Sequence, residues 1–256
     1  MTTTHDGTHS RAVEVLKATL LHVPFDGWSQ SALLAGANDA NVSPDTLDDL
    51  FPNGAIDAIA MYSRQADENM LTAYQELLEP PKKIHLSIRQ LVLLRLEQAQ
   101  SNKDAVRRAL SVLALPMNSA LSVELLYKTV DTMWLAVGQK DTGFSFYTRR
   151  ATLAAVYSAT VLAWLADDSF DMVKTAAFLD RRLSNVASIP RATAPLRKVI
   201  SFGEKFVGIL MSVGSQSLQG NVLPLVLTQT QTRFTGLPPV PSLLCLLITF
   251  AINKNR

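Results

Sequence analysis

Hydrophobic residues recur three or four positions apart through most of the first 218 positions, the spacing of one face of an α-helix. Only 11 glycines and 12 prolines interrupt them, too few turn residues for a many-stranded β fold. The pattern therefore predicts an all-α protein. The predicted helices are 11–21, 30–38, 44–51, 55–78, 84–99, 104–115, 119–137, 148–165, 172–186 and 198–218.

Two of these helices have contrasting patterns. Helix 148–165 is apolar nearly all round, which predicts a central buried helix. Helix 198–218 keeps its apolar residues on one face and polar ones elsewhere, which predicts an amphipathic helix outside the core. That apolar face consists of Val199, Phe202, Phe206, Ile209, Leu210 and Val213.

The last 36 residues change character, from Thr and Gln through a proline cluster to an apolar run of 11 residues, 242–252. Eleven residues are too few to span a bilayer. The run is either an interfacial anchor or part of a tail without a native fold, and we favour the tail. Residues 191–197 are predicted to form a linker, because Pro190 and Pro195 occur in a stretch with no periodic apolar face.

Composition narrows the class of protein. With 48% hydrophobic and 18% charged residues the chain can form a core, which excludes wholesale disorder. The single cysteine, Cys245, excludes an intramolecular disulfide and a cysteine zinc site and fits a reducing compartment. The first 17 residues resemble neither a signal peptide nor a transit peptide, so secretion is not expected.

Charge is distributed unevenly. Residues 1–80 carry 3 Lys/Arg against 12 Asp/Glu, a net −9, and residues 81–256 carry 21 against 10, a net +11. The basic part suits an anionic surface such as phospholipid, or an acidic partner. Ordinary solvated helix faces would explain the same charges, and charge alone does not decide between the two.

The segment 27–59 has the spacing of a TetR-type helix-turn-helix, which suggests DNA binding. However, residues 22–63 contain no Lys or Arg and six aspartates. Duplex binding needs several cationic contacts to phosphates, and this segment would repel them. We therefore expect a degenerate helix-turn-helix and no nucleic-acid partner. The aspartates are Asp26, Asp39, Asp45, Asp48, Asp49 and Asp57.

Signatures of catalysis are missing. The four histidines are scattered, no ExxH pair suggests a di-iron bundle, and neither a Walker loop nor GxGxxG occurs. We predict no catalytic residues, no metal and no cofactor. Ser, His and Asp side chains could still meet in the fold, so a small catalytic protein remains an alternative to the favoured non-catalytic module.

Aromatic and basic residues are concentrated between positions 134 and 150. They are Trp134, Phe144, Phe146, Tyr147, Arg149 and Arg150. We predict a loop before residue 148 and place both arginines in the first turn of the next helix, where the helix dipole disfavours cations. An anion should compensate: an internal one such as Asp131 or Asp141, or an external one, a lipid phosphate or an acidic protein surface. The two are evenly balanced for Arg149, and for Arg150 we favour the external one.

At these residues the sequence resembles the coenzyme Q biosynthesis accessory proteins, TetR-like helical proteins that bind isoprenoid lipid and assist the demethoxyubiquinone hydroxylase. The most specific match is VDTMWLAVGQKDTGFSFYTRRATLAAVYSAT, residues 130–160, and the resemblance covers about residues 11–220. Further matches are HVPFDGWSQSAL (22–33), LFPNGAIDAI (50–59), ALSVLALPMN (109–118), FLDRRLSNV (178–186) and FGEKFVGILMSVGSQSL (202–218).

The resemblance implies a lipid tunnel, a surface that binds the hydroxylase, and a last helix that touches the membrane. That helix is 198–218, and the apolar face named above would make the contact. Arg150 matches a basic residue near a lipid head group. Three positions differ from the family pattern: an acid is usual at Gly143, an amide at Ser145, and a Trp is frequent at Phe146. These differences concern the strength and polar detail of docking to the hydroxylase and not the lipid site. The implied lipid-binding residues are Arg150, Leu153, Val156, Tyr157 and Val161, and the implied partner-binding residues are Trp134, Phe144, Phe146 and Tyr147. From the residues alone, a solid core would explain this apolar row better than a lipid cavity.

These observations predict a TetR-like domain at 11–190 with its helix-turn-helix part at 11–63, a 191–197 linker, a membrane-contacting helix at 198–220 and a disordered tail at 221–256. The expected protein is a homodimeric, non-enzymatic accessory protein that binds isoprenoid quinone intermediates and phospholipid and presents the intermediates to the hydroxylase. Its expected location is the matrix face of the mitochondrial inner membrane, or the cytoplasmic face of the inner membrane in a bacterium. The alternative function is a ligand-responsive transcription regulator.

Overall fold

The computed structural model describes residues 3–138 and 144–187 of the chain. Within these residues the backbone forms nine α-helices and no strand. Short 3₁₀ turns precede three of the helices, at Gln100–Asn102, Pro116–Asn118 and Phe170–Met172. The helices are α1 Thr3–Asp26, α2 Gln30–Asp39, α3 Pro44–Leu50, α4 Ala55–Gln75, α5 Ile84–Glu97, α6 Lys103–Leu113, α7 Ser119–Ala136, α8 Phe144–Leu165 and α9 Val173–Ala187.

The predicted starts of α2 and α3 are confirmed by their caps. The Ser29 side chain accepts a hydrogen bond from the Ala32 amide at 3.2 Å, and Ser43 accepts one from the Thr46 amide at 3.3 Å. Pro44 occupies the first turn of α3, where its missing amide hydrogen costs nothing. Local polar groups therefore determine where these two helices begin.

The prediction that the first helix stops before Pro24 is wrong. Helix α1 begins at Thr3 and continues through Pro24 to Asp26. A proline in the last turn removes only one amide donor, and the Gly27 amide still bonds to the Val23 carbonyl at 2.9 Å. Proline therefore does not end this helix.

The predicted loop before residue 148 is also wrong in part. Helix α8 begins at Phe144, so Phe146 and Tyr147 are helical. Arg149 and Arg150 consequently lie in the second turn, where the helix dipole opposes cations less than at the first amides. No proline or glycine occurs in residues 144–165. The backbone can therefore continue as one helix from the aromatic segment 144–147 into the apolar segment 148–165.

Two clusters of buried hydrophobic residues hold the helices together. We call them the head core, built by α1–α4 and α6, and the body core, built by α4, α5 and α7–α9. Helix α4 contributes to both, with Ile59 in the head core and Met70 in the body core. The body core includes Leu91, Val130, Met133, Leu153, Val156, Val161, Trp164 and Leu179. The prediction of a central buried helix at 148–165 is wrong in part, because α8 is buried on one face only and Arg149, Ala151 and Leu162 are exposed.

The crossing of α1 and α2 depends on Gly36. A methyl group at Gly36 would lie 2.3 Å from Thr19 Oγ1 and 2.6 Å from the Thr19 backbone nitrogen. Only a residue without a side chain therefore allows α2 to approach α1 this closely.

A buried ion pair joins α4, α5 and α7. The Arg95 Nε donates to Asp67 Oδ1 at 2.9 Å, and the Thr129 hydroxyl donates to the same carboxylate at 2.9 Å. Burial raises the pKa of Asp67, while Arg95 and Thr129 oppose this shift. These bonds satisfy charges that would otherwise be costly inside the fold.

A second buried carboxylate connects α8 to α9. Asp167 accepts hydrogen bonds from the amides of Ser169 and Thr175, both at 2.8 Å, and from both of their hydroxyls. Burial raises the pKa of Asp167, but the hydrogen bonds outweigh it and hold the pKa well below its usual value.

Among the described helices, none is individually long and apolar enough to cross a membrane. One bent pair, Gln100–Leu113 with Pro116–Ala136, passes the same length and composition test when taken together, with a 96° bend between its parts. The predicted domain boundaries beyond residue 187, the 198–220 helix and the 221–256 tail lie outside the described residues.

Candidate functional site at the corner of α7 and α8

Helices α7 and α8 bring together a group that we call the aromatic corner: Tyr127, Asp131, Phe146, Tyr147 and Arg150. Tyr127 and Asp131 are four residues apart and lie on one face of α7. The other three belong to the first two turns of α8. A hydrogen bond of 2.6 Å from Arg150 Nε to Asp131 Oδ1 joins the two helices.

Arg150 is the centre of this group. Only 5% of the residue is exposed. Its Nη1 donates to the Phe146 carbonyl at 3.4 Å, and the guanidinium carbon lies 3.4 Å from the centre of the Phe146 ring. The ring face and the Asp131 carboxylate therefore both stabilise the cation.

Of the two kinds of anion that the sequence left open for Arg150, the structure shows the internal one, Asp131. The favoured external anion does not match this arrangement, because the guanidinium is buried and already neutralised. Arg150 and Asp131 are 19 residues apart and lie on different helices, so the periodicity of a single helix does not show that they form a pair. A contact between Arg150 and a lipid head group stays a prediction.

The aromatic rings of the corner present a surface to solvent. Tyr147 is 49% exposed and meets the half-buried Phe146 ring edge to face, with centroids 5.1 Å apart. Tyr127 is 37% exposed. Partial burial raises the pKa of the Tyr127 phenol, as does the Asp131 carboxylate, while Arg150 opposes the shift. Sequence reasoning missed Tyr127, although its spacing to Asp131 was a usable signal.

The other predicted partner residues lie close by in the chain. Trp134 follows Asp131 by three positions and packs, half-buried, against the body core. Phe144 is the first residue of α8, and its side chain lies outside the described part of the structure. The docking role of these residues stays a prediction.

The predicted lipid-binding residues share one region of α8. Leu153, Val156 and Val161 are buried members of the body core, and Tyr157 packs against it. Burial raises the pKa of the Tyr157 phenol, while the nearby Arg95 opposes the shift. A solid core and a lipid-lined core would both place them here, so lipid binding stays a prediction. The predicted membrane-contact residues of 198–218 lie outside the described residues.

The head carries different chemistry. Asp45, Asp48 and Asp49 are exposed on α3. A cavity of about 350 Å³ between α1, α3 and α4 has Ala12, Leu50 and Met61 in its wall. Its remaining lining is polar and of mixed charge, which does not suit an isoprenoid chain: Thr8, His9, Asp49, Arg64, Gln65 and Glu68. Within residues 3–138 and 144–187, no three His, Cys, Asp or Glu side chains are grouped to hold a metal ion.

Comparisons with known proteins point to one family. The family model described as COQ9 matches residues 119–190, the segment that contains the aromatic corner. The ubiquinone biosynthesis protein COQ9, mitochondrial, of Rattus norvegicus is 32% identical over 204 residues, covering 77% of this chain and 64% of its own length. The COQ9-B protein of Xenopus laevis is 31% identical over 211 residues, covering 77% of this chain and 68% of its own length. The chain thus spans slightly less than two thirds of the rat relative.

A solved structure supports the fold. A TetR transcriptional regulator from Nitrosomonas europaea superimposes with a TM-score of 0.55 over 69% of this chain and 97% of that chain, at 18% sequence identity. The predicted TetR-like, all-α fold is confirmed. An identity this low carries the fold and not the regulator's function.

Proposed function

The chain belongs to the COQ9 family, and we propose that it is a lipid-binding accessory protein of ubiquinone biosynthesis. It binds isoprenoid quinone intermediates and phospholipid at the membrane and presents the intermediates to the demethoxyubiquinone hydroxylase, which performs the chemistry. The curated relatives are named as mitochondrial, so the proposed location is the matrix face of the mitochondrial inner membrane, or the cytoplasmic face of the inner membrane if the source is bacterial.

The aromatic corner is the observation that carries the docking part of the proposal. Arg150 holds Phe146 and Asp131 in place through a stacked ring and an ion pair. Tyr127 and Tyr147 stay partly exposed beside them. Aromatic rings that are fixed before binding lose little entropy on association and are frequent hot spots of protein interfaces. A protein partner is therefore a suitable occupant.

The packing of α8 supports the lipid part. Apart from Arg150 and Thr160 its buried residues are apolar, and small side chains such as Ala154 and Ala159 lie among bulky ones. A lining of this kind needs no polar partner in order to enclose an isoprenoid chain. The polar end of the ligand would then face the α7–α8 corner, from which the hydroxylase receives it.

A single exposed ring tests the docking surface. We expect Tyr147→Ala to weaken capture of purified hydroxylase at least tenfold, because interface aromatic residues contribute about 2 kcal/mol or more. The free energy of unfolding should fall by only about 1 kcal/mol, since the ring is half-exposed and its edge-to-face contact with Phe146 is the main packing lost. Phe25→Ala is the matched control, because Phe25 is an 85% exposed ring on α1. Equal hydroxylase affinity for both variants would remove the corner from the docking surface.

Phe146 separates docking from stability. Phe146→Ala removes the ring beneath Arg150, so we expect both hydroxylase capture and the melting temperature to fall. If Tyr147→Ala also lowers the melting temperature strongly, the two rings form a cap on the core and the docking assignment is withdrawn.

We propose that residues 198–220, a predicted amphipathic helix, make the membrane contact. Replacing Phe202 and Phe206 together by Glu would place two charges on its predicted apolar face, so flotation with anionic liposomes should be lost. If this double variant floats as well as the unmodified chain, that helix is not the membrane contact.

Native mass spectrometry of the purified chain, followed by lipid extraction, tests the lipid itself. We expect an isoprenoid quinone or its precursor to co-purify. If the chain carries none and also takes up none from quinone-loaded vesicles, it does not bind these lipids.

A further inference from the structure

Two of the three tryptophans donate a hydrogen bond through the indole N–H and, within the part of the chain that the structure describes, the third does not. Trp28 Nε1 donates to the Ala105 carbonyl at 2.9 Å, and Trp164 Nε1 donates to Gln100 Oε1 at 2.7 Å. The Trp134 Nε1 atom is also buried, but it meets no acceptor among the described residues. It is the only buried side-chain nitrogen or oxygen in the described part of the chain that lacks a partner.

A buried donor without an acceptor is unfavourable, and buried polar groups are nearly always paired. Phenylalanine would fill most of the same space without this penalty. The indole N–H is therefore expected to have an acceptor in some bound state of the protein.

The position of Trp134 indicates the kind of acceptor. Its ring packs against the body core that contains Leu153 and Val156, two of the residues proposed to line the lipid site. It follows Asp131 by one helical turn, so it also adjoins the aromatic corner. Trp134 thus packs against the same core as the proposed lipid lining and lies one helical turn from the surface proposed to receive the hydroxylase.

The charges nearby favour a neutral acceptor. Arg150, the buried cation of the corner, is already paired with Asp131. An anionic phosphate in this apolar setting would need a cation of its own. A quinone ring is uncharged, has two apolar faces and offers only acceptors, its carbonyl and methoxy oxygens.

We propose that the indole N–H of Trp134 donates a hydrogen bond to a ring oxygen of the bound quinone and so fixes the head group at the α7–α8 corner. This inference rests on the proposed lipid binding. It adds the residue that distinguishes a quinone head group from a bare isoprenoid chain.

The direct test is an NMR titration of the full chain labelled with ¹⁵N at the indole nitrogens. Single Trp→Phe variants assign the three indole signals, and the probes are a ubiquinone with a two-isoprene tail and an isoprenoid hydrocarbon of similar length. We expect the quinone to move the Trp134 proton downfield, as a new hydrogen bond does, and to leave Trp28 and Trp164 nearly unchanged. The hydrocarbon should not produce that shift.

Binding constants give the second measurement. Trp134→Phe should weaken quinone binding by about tenfold, the upper part of the range for one neutral hydrogen bond. It should leave hydrocarbon binding unchanged. Trp28→Phe is the control, because the hydrogen bond that it removes goes to the Ala105 carbonyl in the head core, away from the proposed quinone site. Unchanged circular dichroism of Trp134→Phe verifies that the variant is folded.

The possible failures are distinguishable. If the unmodified chain binds the quinone but the Trp134 signal stays in place and Trp134→Phe binds equally well, the inference is wrong and the proposed lipid binding stands. If the signal moves only when hydroxylase is added, Trp134 donates to the protein partner and the inference is wrong. If neither probe binds the unmodified chain, the proposed lipid binding fails and the inference fails with it.

Discussion

The ion pair between Arg150 and Asp131 offers the sharpest test of how α7 holds α8. Breaking a fully buried pair costs about 3 to 5 kcal/mol, and exposed pairs contribute about 0 to 1 kcal/mol. The Arg150 side chain is 5% exposed and that of Asp131 is 29% exposed, so this pair lies between the two cases. We expect Asp131→Ala to lower the free energy of unfolding by about 2 to 4 kcal/mol, because it leaves a buried guanidinium without its anion.

The reverse change should be milder. Arg150→Met keeps most of the side-chain volume and leaves a carboxylate that water can partly reach, so we expect a loss of about 1 to 2 kcal/mol. A double-mutant cycle, measured by urea unfolding and far-UV circular dichroism, should give a coupling energy near 2 kcal/mol. Lys128 and Glu124 form an exposed pair on α7, and the same cycle on them should give less than about 0.5 kcal/mol. Equal coupling for both pairs would refute the assignment of Arg150 as the connection between the helices.

Three further outcomes follow from the structure. Gly36→Ala should lower the free energy of unfolding by about 1 to 3 kcal/mol, because its methyl group would overlap Thr19. Gly7→Ala is the control and should cause no loss, because a methyl group there meets nothing within 4 Å. Equal effects of the two variants in thermal melts would contradict the close crossing of α1 and α2. The hydrogen bonds that lower the pKa of Asp167 stabilise the fold fully above its unfolded-state value of 3.8, and this contribution is lost as the pH falls. An Asp167→Asn variant should therefore unfold with a flatter dependence on pH below about 4, and an unchanged acid profile would exclude this carboxylate as a cause of acid unfolding. The acidic head should give no mobility shift with random duplex DNA at about 50 mM salt and micromolar protein, and a sequence-specific complex of nanomolar affinity would restore the regulator alternative.

The sequence alone determined the helical class, the order of the helices and most of their starts. Ser29 and Ser43 illustrate why, since a capping hydroxyl bonds to an amide three residues away and so acts through neighbours in the chain. The family resemblance likewise rested on contiguous residues, above all 130–160, and it located the segment of the candidate site.

The tertiary structure decided what those residues contact. The pairing of Arg150 with Asp131, the stacking of Arg150 on Phe146 and the contribution of Tyr127 all depend on how α7 and α8 cross. The same holds for the buried indole N–H of Trp134, whose lack of an acceptor no pattern of residue types reveals. Periodicity shows which face of a helix is apolar, but the partner across that face depends on packing between segments far apart in the chain.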